Sequence, residues 1–191
     1  MKGKKFLKPA LGETIENLNK RYSIQFDLYE QPFRNGKGGT AVLLNGGSRN
    51  GKSNYFPRYS PDGKWIVFCQ SRTGLVLQPD SELYVIPSQG GKARRLRCNT
   101  GRMNSWHSFT PNGRWIVFSS KAMTPYTEVM ISHFDTEGQT SPPVALMRFN
   151  REGYAANIPE TIHRSDRLIK KMEIQLSCSK RTNTRVHAEK Q

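Results

Sequence analysis

The sequence predicts an all-β fold built from repeated four-stranded antiparallel units, with an α-helix near the C-terminus. Three observations predict it. A segment repeats at an offset of 50 residues: NYFPRYSPDGKWIVFCQ at 54–70 answers NSWHSFTPNGRWIVFSS at 104–120. Each copy carries a turn signal between two strand-like runs. Each is followed by a second strand–turn–strand pattern. Internal repeats of this period are the mark of propellers and solenoids.

The hairpins come first. Ser60-Pro61-Asp62-Gly63 and Thr110-Pro111-Asn112-Gly113 are β-turn sequences. Proline presets φ, Asp or Asn tolerates the next position, and glycine accepts the positive φ that follows. Trp65-Ile66-Val67-Phe68 and Trp115-Ile116-Val117-Phe118 are short, β-branched and aromatic. Such runs read as strands buried on both faces. Trp65 and Trp115 head these strands and are expected to be equivalent core residues. The runs before each turn alternate and read as partner strands.

The second motif follows. ELYVIPSQGGKARRLR at 82–97 is a strand, a Gly-Gly turn and a strand; EVMISHFDTEGQTSPPVALM at 128–147 repeats the layout more loosely. DLYEQPFRNGKGGTAVLL at 27–44 shows it once more, ahead of the first hairpin. The chain therefore predicts a half unit at 24–45 and whole units at 54–97 and 104–147. Four strands joined in sequence over roughly 40–50 residues make a propeller blade. The fold class is a partial β-propeller, since closed propellers take about 4–8 blades.

At SPDGKWIVF, TPNGRWIVF and ELYVIPSQGGKARRL the chain resembles the TolB-type, WD-repeat-like β-propeller family. Its blade reads W-S-P-D-G-x-x-I-x-F, then I-Y-x-x, then G-G-x-x-x-x-L. The resemblance spans about residues 24–149. The second copy departs from it at Thr110 and Asn112, and its last two strands lack the Gly-Gly. The resemblance implies a protein-binding platform, often in exported or envelope proteins of bacteria. Two whole blades and half of another cannot close a ring, so the chain is expected to be the C-terminal part of a larger propeller, or a truncated or degenerate copy. A fold of this kind hosts many functions, so function must be argued from a site.

The flanks are plainer. Residues 1–23 form an N-terminal segment, with one short helix within 12–20. The stretch 150–176 is expected to be helical. Within it Pro159 suits a first turn, and Ile158, Ile162, Ser165, Ile169, Met172 and Leu176 make an amphipathic stripe over 157–176. Residues 177–191 are polar and expected to be disordered. The opening MKGKKFLKPALGET lacks the apolar core of a signal peptide as written, and no run reaches the length of a membrane span.

GGSRNGKS at 46–53 fits the spacing of a phosphate-binding P-loop. Such a loop needs a helix behind it, whose N-terminus faces the phosphates. Pro57 follows too soon, so this segment is expected to connect two units and to bind no nucleotide. Net charge is +15 and the pI near 10.0. The excess is spread along the chain, with short clusters at Lys2/Lys4/Lys5/Lys8 and Arg94/Arg95/Arg97. A solvated basic surface is the plainer explanation; nucleic-acid binding is the alternative.

Cys69, Cys98 and Cys178 have no metal-binding spacing. Cys69 reads as a small buried hydrophobe, with a Cys69–Cys98 disulfide as the lesser alternative. No G-x-S-x-G elbow and no H-E-x-x-H occurs, so no catalytic residues, cofactor or metal ligands are assigned. His133, His163 and His187 have no partners in sequence. Arg58, Trp106 and His107 lie where a loop between units becomes a strand, and are the candidate partner surface, since Trp and Arg anchor interfaces. The function expected is a non-enzymatic protein-interaction module. Two alternatives stand beside it: an accessory propeller of a prolyl-oligopeptidase-type hydrolase, and a nucleic-acid binder.

Overall fold

The computed structural model describes residues 12–74 and 78–162. One short helix, α1 (Ile15–Tyr22), opens it. The Thr14 side chain accepts the Asn17 N–H, and Ser23 ends the helix in a left-handed conformation with its N–H on the Asn19 carbonyl. This is the N-cap chemistry that a Thr before a helix provides.

β1 (Tyr29–Glu30) and β2 (Val42–Leu43) then pair as a small antiparallel sheet. Repeat one follows as β3 (Ser53–Tyr59), β4 (Trp65–Ser71), β5 (Glu82–Pro87) and β6 (Arg94–Arg95). Repeat two is β7 (Asn104–Phe109), β8 (Trp115–Ser120), β9 (Glu128–His133) and β10 (Val144–Ala145). Each repeat forms a four-stranded antiparallel meander in sequence order. The array is mostly sheet, and it is open.

Both hairpin turns form as their residues dictate. The Ser60 hydroxyl donates to the Asp62 carboxylate at 2.6 Å and accepts the Trp65 N–H; Thr110 does the same with Asn112 and Trp115. Gly63 and Gly113 close the turns at φ 72° and 69°, a region open to glycine and costly to β-branched side chains.

The core lies between the layers. Ile66, Phe68 and Ile86 pack on Leu28 and Leu44 of the β1–β2 sheet. Val67, Cys69, Leu83 and Val85 join Ile116, Phe118 and Met130 of the second sheet. Adjacent residues of β4 thus serve opposite faces, which is why WIVF carries no polar residue. Each such side chain contributes about 1.5–3 kcal/mol by leaving water. The heads of the strands depart from expectation: Trp65 is half-buried and Trp115 is 41% exposed. Cys69 and Cys98 are both buried and both free, so the disulfide alternative falls.

The expected helix over 157–176 does not begin where the stripe begins. Residues 157–162 form neither helix nor strand, and 163–176 lie outside the described residues, as does the tail 177–191. The local reason is visible in the bonds. The Ala156 N–H donates to the Thr127 carbonyl at 2.8 Å, the Ser119 hydroxyl to the Asn157 carbonyl at 2.7 Å, and the Thr161 N–H to the Ser108 hydroxyl at 3.1 Å. Backbone groups spent on the second sheet cannot also build a helix. No helix among the described residues is long and apolar enough to cross a membrane.

Candidate interaction surface

The three residues singled out from sequence sit on or beside a shared irregularity. β3 and β7 each carry a bulge, between Tyr55 and Arg58 and between Ser105 and His107. At each bulge an aromatic residue adopts a positive φ: Phe56 at 54° and Trp106 at 37°. Bulky residues rarely do so, and such strain costs about 1–3 kcal/mol. A bulge re-aims a side chain out of the regular alternation. Here it brings the two rings together, stacked at 6.0 Å with planes 20° apart. Tyr55 meets the edge of Phe56 at 5.2 Å.

Arg58 is exposed and donates to Glu160 at 2.6 Å. Tyr59, one residue on, donates its hydroxyl to Glu30 at 2.8 Å. That bond, with some burial, raises the Tyr59 pKa. The exposed edge therefore holds a cation, two carboxylates and a phenol beside a half-buried aromatic stack.

His107 is not on that surface. It is buried, with Nε2 2.9 Å from the Val67 carbonyl oxygen. A carbonyl only accepts, so Nε2 carries the proton and Nδ1 is the lone-pair nitrogen. Nδ1 lies 3.8 Å from the Cys69 sulfur. Burial pushes the His107 pKa down to about 4; the Val67 bond opposes that shift and the Arg58 charge adds to it. Burial pushes the Cys69 thiol up to about 12, against a hydrogen bond from Ser105. The pair is thus a neutral imidazole beside a protonated thiol. A nucleophilic cysteine needs the opposite, a thiolate stabilised by its surroundings. Cys69 and His107 pack two strands of neighbouring sheets together.

The loop 46–53 is a set of turns that runs straight into β3. Several of its polar groups bond within the chain. The Arg49 N–H bonds the Asp27 carboxylate, Ser48 donates to the Leu28 carbonyl, and the buried Ser53 hydroxyl donates to the Gly74 carbonyl. A Cβ on Gly46 would lie 1.7 Å from the Gly91 carbonyl oxygen. Close backbone contact with the β5–β6 turn explains that glycine.

Among the described residues no group of His, Cys, Asp and Glu could hold a metal ion. Of the three residues, Arg58 and Trp106 share a surface and His107 underlies it. Sequence reasoning missed Phe56, Tyr59 and Glu160. The 50-residue offset pointed to Phe56, which aligns with Trp106; nothing local pointed to Glu160, which meets Arg58 from 102 positions away. No protein-family model and no curated protein matches this chain.

Proposed function

We propose that this chain is a non-enzymatic protein-interaction module: part of a β-propeller of the TolB type, offering the first strands of its units as a binding platform. The observation that carries this reading is the Phe56–Trp106 stack, held by left-handed backbone in both repeats beside Arg58. Strain repeated at equivalent positions, where ordinary strand geometry was open to either residue, is the kind that persists at functional sites. A flat aromatic pair flanked by an arginine supplies the contacts that anchor protein interfaces. The neighbouring carboxylates Glu30 and Glu160 disfavour a polyanion at this edge, which favours a polypeptide over nucleic acid.

The test places a photo-crosslinking phenylalanine analogue at Trp106 and identifies adducts by mass spectrometry. Adducts with another polypeptide, reduced at least tenfold by Arg58→Glu, are expected. Adducts mainly with RNA or DNA would refute the reading, as would polypeptide adducts indifferent to Arg58→Glu.

A further inference from the structure

The surface around Trp106 is partly occupied by the chain itself. Residues 156–161 return to the second sheet after repeat two, and their two ends are held differently. The near end is anchored. The Ala156 N–H donates to the Thr127 carbonyl at 2.8 Å, and the Thr127 hydroxyl donates to the Asn157 side chain at 2.7 Å. The Ser119 hydroxyl lies 2.9 and 2.7 Å from the carbonyl oxygens of Ala156 and Asn157. Ser119 and Thr127 are themselves buried.

The far end lies on exposed groups. Ile158 is 63% exposed and brings little apolar burial. Glu160 sets its carboxylate on the Arg58 guanidinium at 2.6 Å, with both side chains about half exposed. One residue on, the Thr161 N–H donates to the Ser108 hydroxyl at 3.1 Å, and the Thr161 hydroxyl donates to the Phe109 carbonyl. Arg58 belongs to β3, and Ser108 and Phe109 to β7. The far end therefore bridges the same two strands that the Phe56–Trp106 stack joins. An exposed ion pair contributes little, because water already solvates both charges. A segment with few buried apolar contacts opens at small cost while its anchor stays in place.

What sits on the surface also shows what the surface recognises. Arg58 takes a carboxylate. Ser108 and Phe109 take an N–H and a hydroxyl from the residue that follows it. Glu30, the other carboxylate at this edge, is engaged by the Tyr59 hydroxyl. A segment that replaces Glu160 brings one carboxylate for the one displaced, so the local charge balance is kept. The net charge of +15 steers acidic segments toward the chain over longer distances.

Resting on the binding-platform reading above, we propose that residues 157–161 are a built-in occupant of the Trp106 surface. The partner is an extended polypeptide segment carrying an acidic residue followed by Ser or Thr. It takes the Arg58, Ser108 and Phe109 contacts by displacing residues 158–161. Because the occupant is tethered beside its site, it competes at high effective concentration. It lowers the apparent affinity of every partner by the fraction of time the site is closed.

The test uses the full chain with the photo-crosslinking analogue at Trp106. It is offered the synthetic peptide Tyr-Ala-Ala-Asn-Ile-Pro-Glu-Thr, the sequence of residues 154–161, and adducts are measured by mass spectrometry. Glu160→Ala, which frees Arg58, should raise the peptide yield about twofold or more. The same peptide with Gln in place of its Glu should show no rise, and neither should Arg58→Ala/Glu160→Ala with the original peptide. In a second arm, Ser108→Cys/Thr161→Cys in a Cys178→Ser background ties the segment to β7 by a disulfide. Oxidised, that chain should take at least tenfold less peptide than after reduction. An unchanged yield with Glu160→Ala, an equal rise with the Gln peptide, full labelling of the oxidised chain, or failure of Ser108→Cys/Thr161→Cys to form its disulfide would each overturn the proposal. If it is overturned while a cellular polypeptide still crosslinks in an Arg58-dependent way, the binding function stands without a built-in occupant. If that crosslink is lost as well, both fall.

Discussion

Repeats one and two share a hairpin sequence and differ in what lies beyond them. Ile66 and Ile116, and Phe68 and Phe118, are buried alike. Each pair faces the unit before it, and both repeats have one. The opposite faces diverge. Trp65 meets Thr136, Gly138 and the Arg94 guanidinium, 5.2 Å from its ring. Trp115 meets the edge of His133 at 5.3 Å and is otherwise open. Cys69 sits in an apolar cluster, while its counterpart Ser119 donates to the carbonyls of Ala156 and Asn157. In a stacked array the environment of a residue belongs to the interface and not to the repeat, as expected for nearest-neighbour energetics.

The largest way to break the comparison is through the phenylalanines. Phe68 and Phe118 are both fully buried, Phe68 under the two-strand sheet and Phe118 between the four-stranded sheets. Either change to alanine should cost about 3–5 kcal/mol. Phe118→Ala should cost the more, because its cluster draws on both large sheets. Urea unfolding gives the order. If Phe68→Ala proves the worse, the two-strand sheet is the main buttress and the stacking account fails.

The tryptophans come next. Trp65→Ala removes a half-buried ring, a hydrogen bond and a cation–π contact, and should cost about 2–3 kcal/mol. Trp115→Ala should cost less than about 1 kcal/mol, since that ring is 41% exposed. Equal midpoint shifts would mean that the following unit contributes nothing to Trp65.

These contrasts mark what the sequence made legible. The turns, the four-stranded meanders and the strand pair β1–β2 could be read because proline–glycine turns and β-branched runs are local signals. The burial of Trp115 could not, since it depends on a neighbour. The segment after residue 156 misled for a physical reason. Ile158 and Ile162 are four apart, a spacing that fits a helix stripe and one face of a strand equally well, and Pro159 is welcome at a helix start and in an unpaired strand. The bulges at Phe56 and Trp106 left no trace, because neither residue type favours a positive φ. Cys69 and His107 are 38 residues apart and meet only through sheet packing.

His107 offers a comparison by pH, since its counterpart in repeat one is Pro57. Unfolded, the imidazole titrates near its ordinary 6.5; folded, near about 4. Between these values the unfolded state holds more protons, so stability is full above about pH 6.5 and falls as pH drops toward 4. At pH 5 the loss from this group is on the order of 2 kcal/mol. His107→Gln should flatten that part of the profile relative to wild type, the difference isolating the imidazole from titrating carboxylates. Parallel profiles for the two proteins over pH 7 to 5 would show that His107 takes its proton without opening the sheets.

The smallest effect should come from the longest-range contact. Arg58 and Glu160 join the first strand of repeat one to the segment that follows repeat two, and both side chains are about half exposed. Exposed pairs contribute roughly 0–1 kcal/mol, since water already solvates both charges and ordering two long side chains costs entropy. A double-mutant cycle with Arg58→Ala and Glu160→Ala should give a coupling below about 0.5 kcal/mol at moderate salt. Stability is the lesser matter here. If Arg58 serves a partner, Glu160 competes for it. Glu160→Ala should then raise the yield of Trp106 adducts while leaving the urea midpoint nearly unmoved, and Arg58→Ala should lower that yield with an equally small shift. A coupling well above 1 kcal/mol would instead make this pair a structural clamp, and Arg58 would no longer be available to a partner.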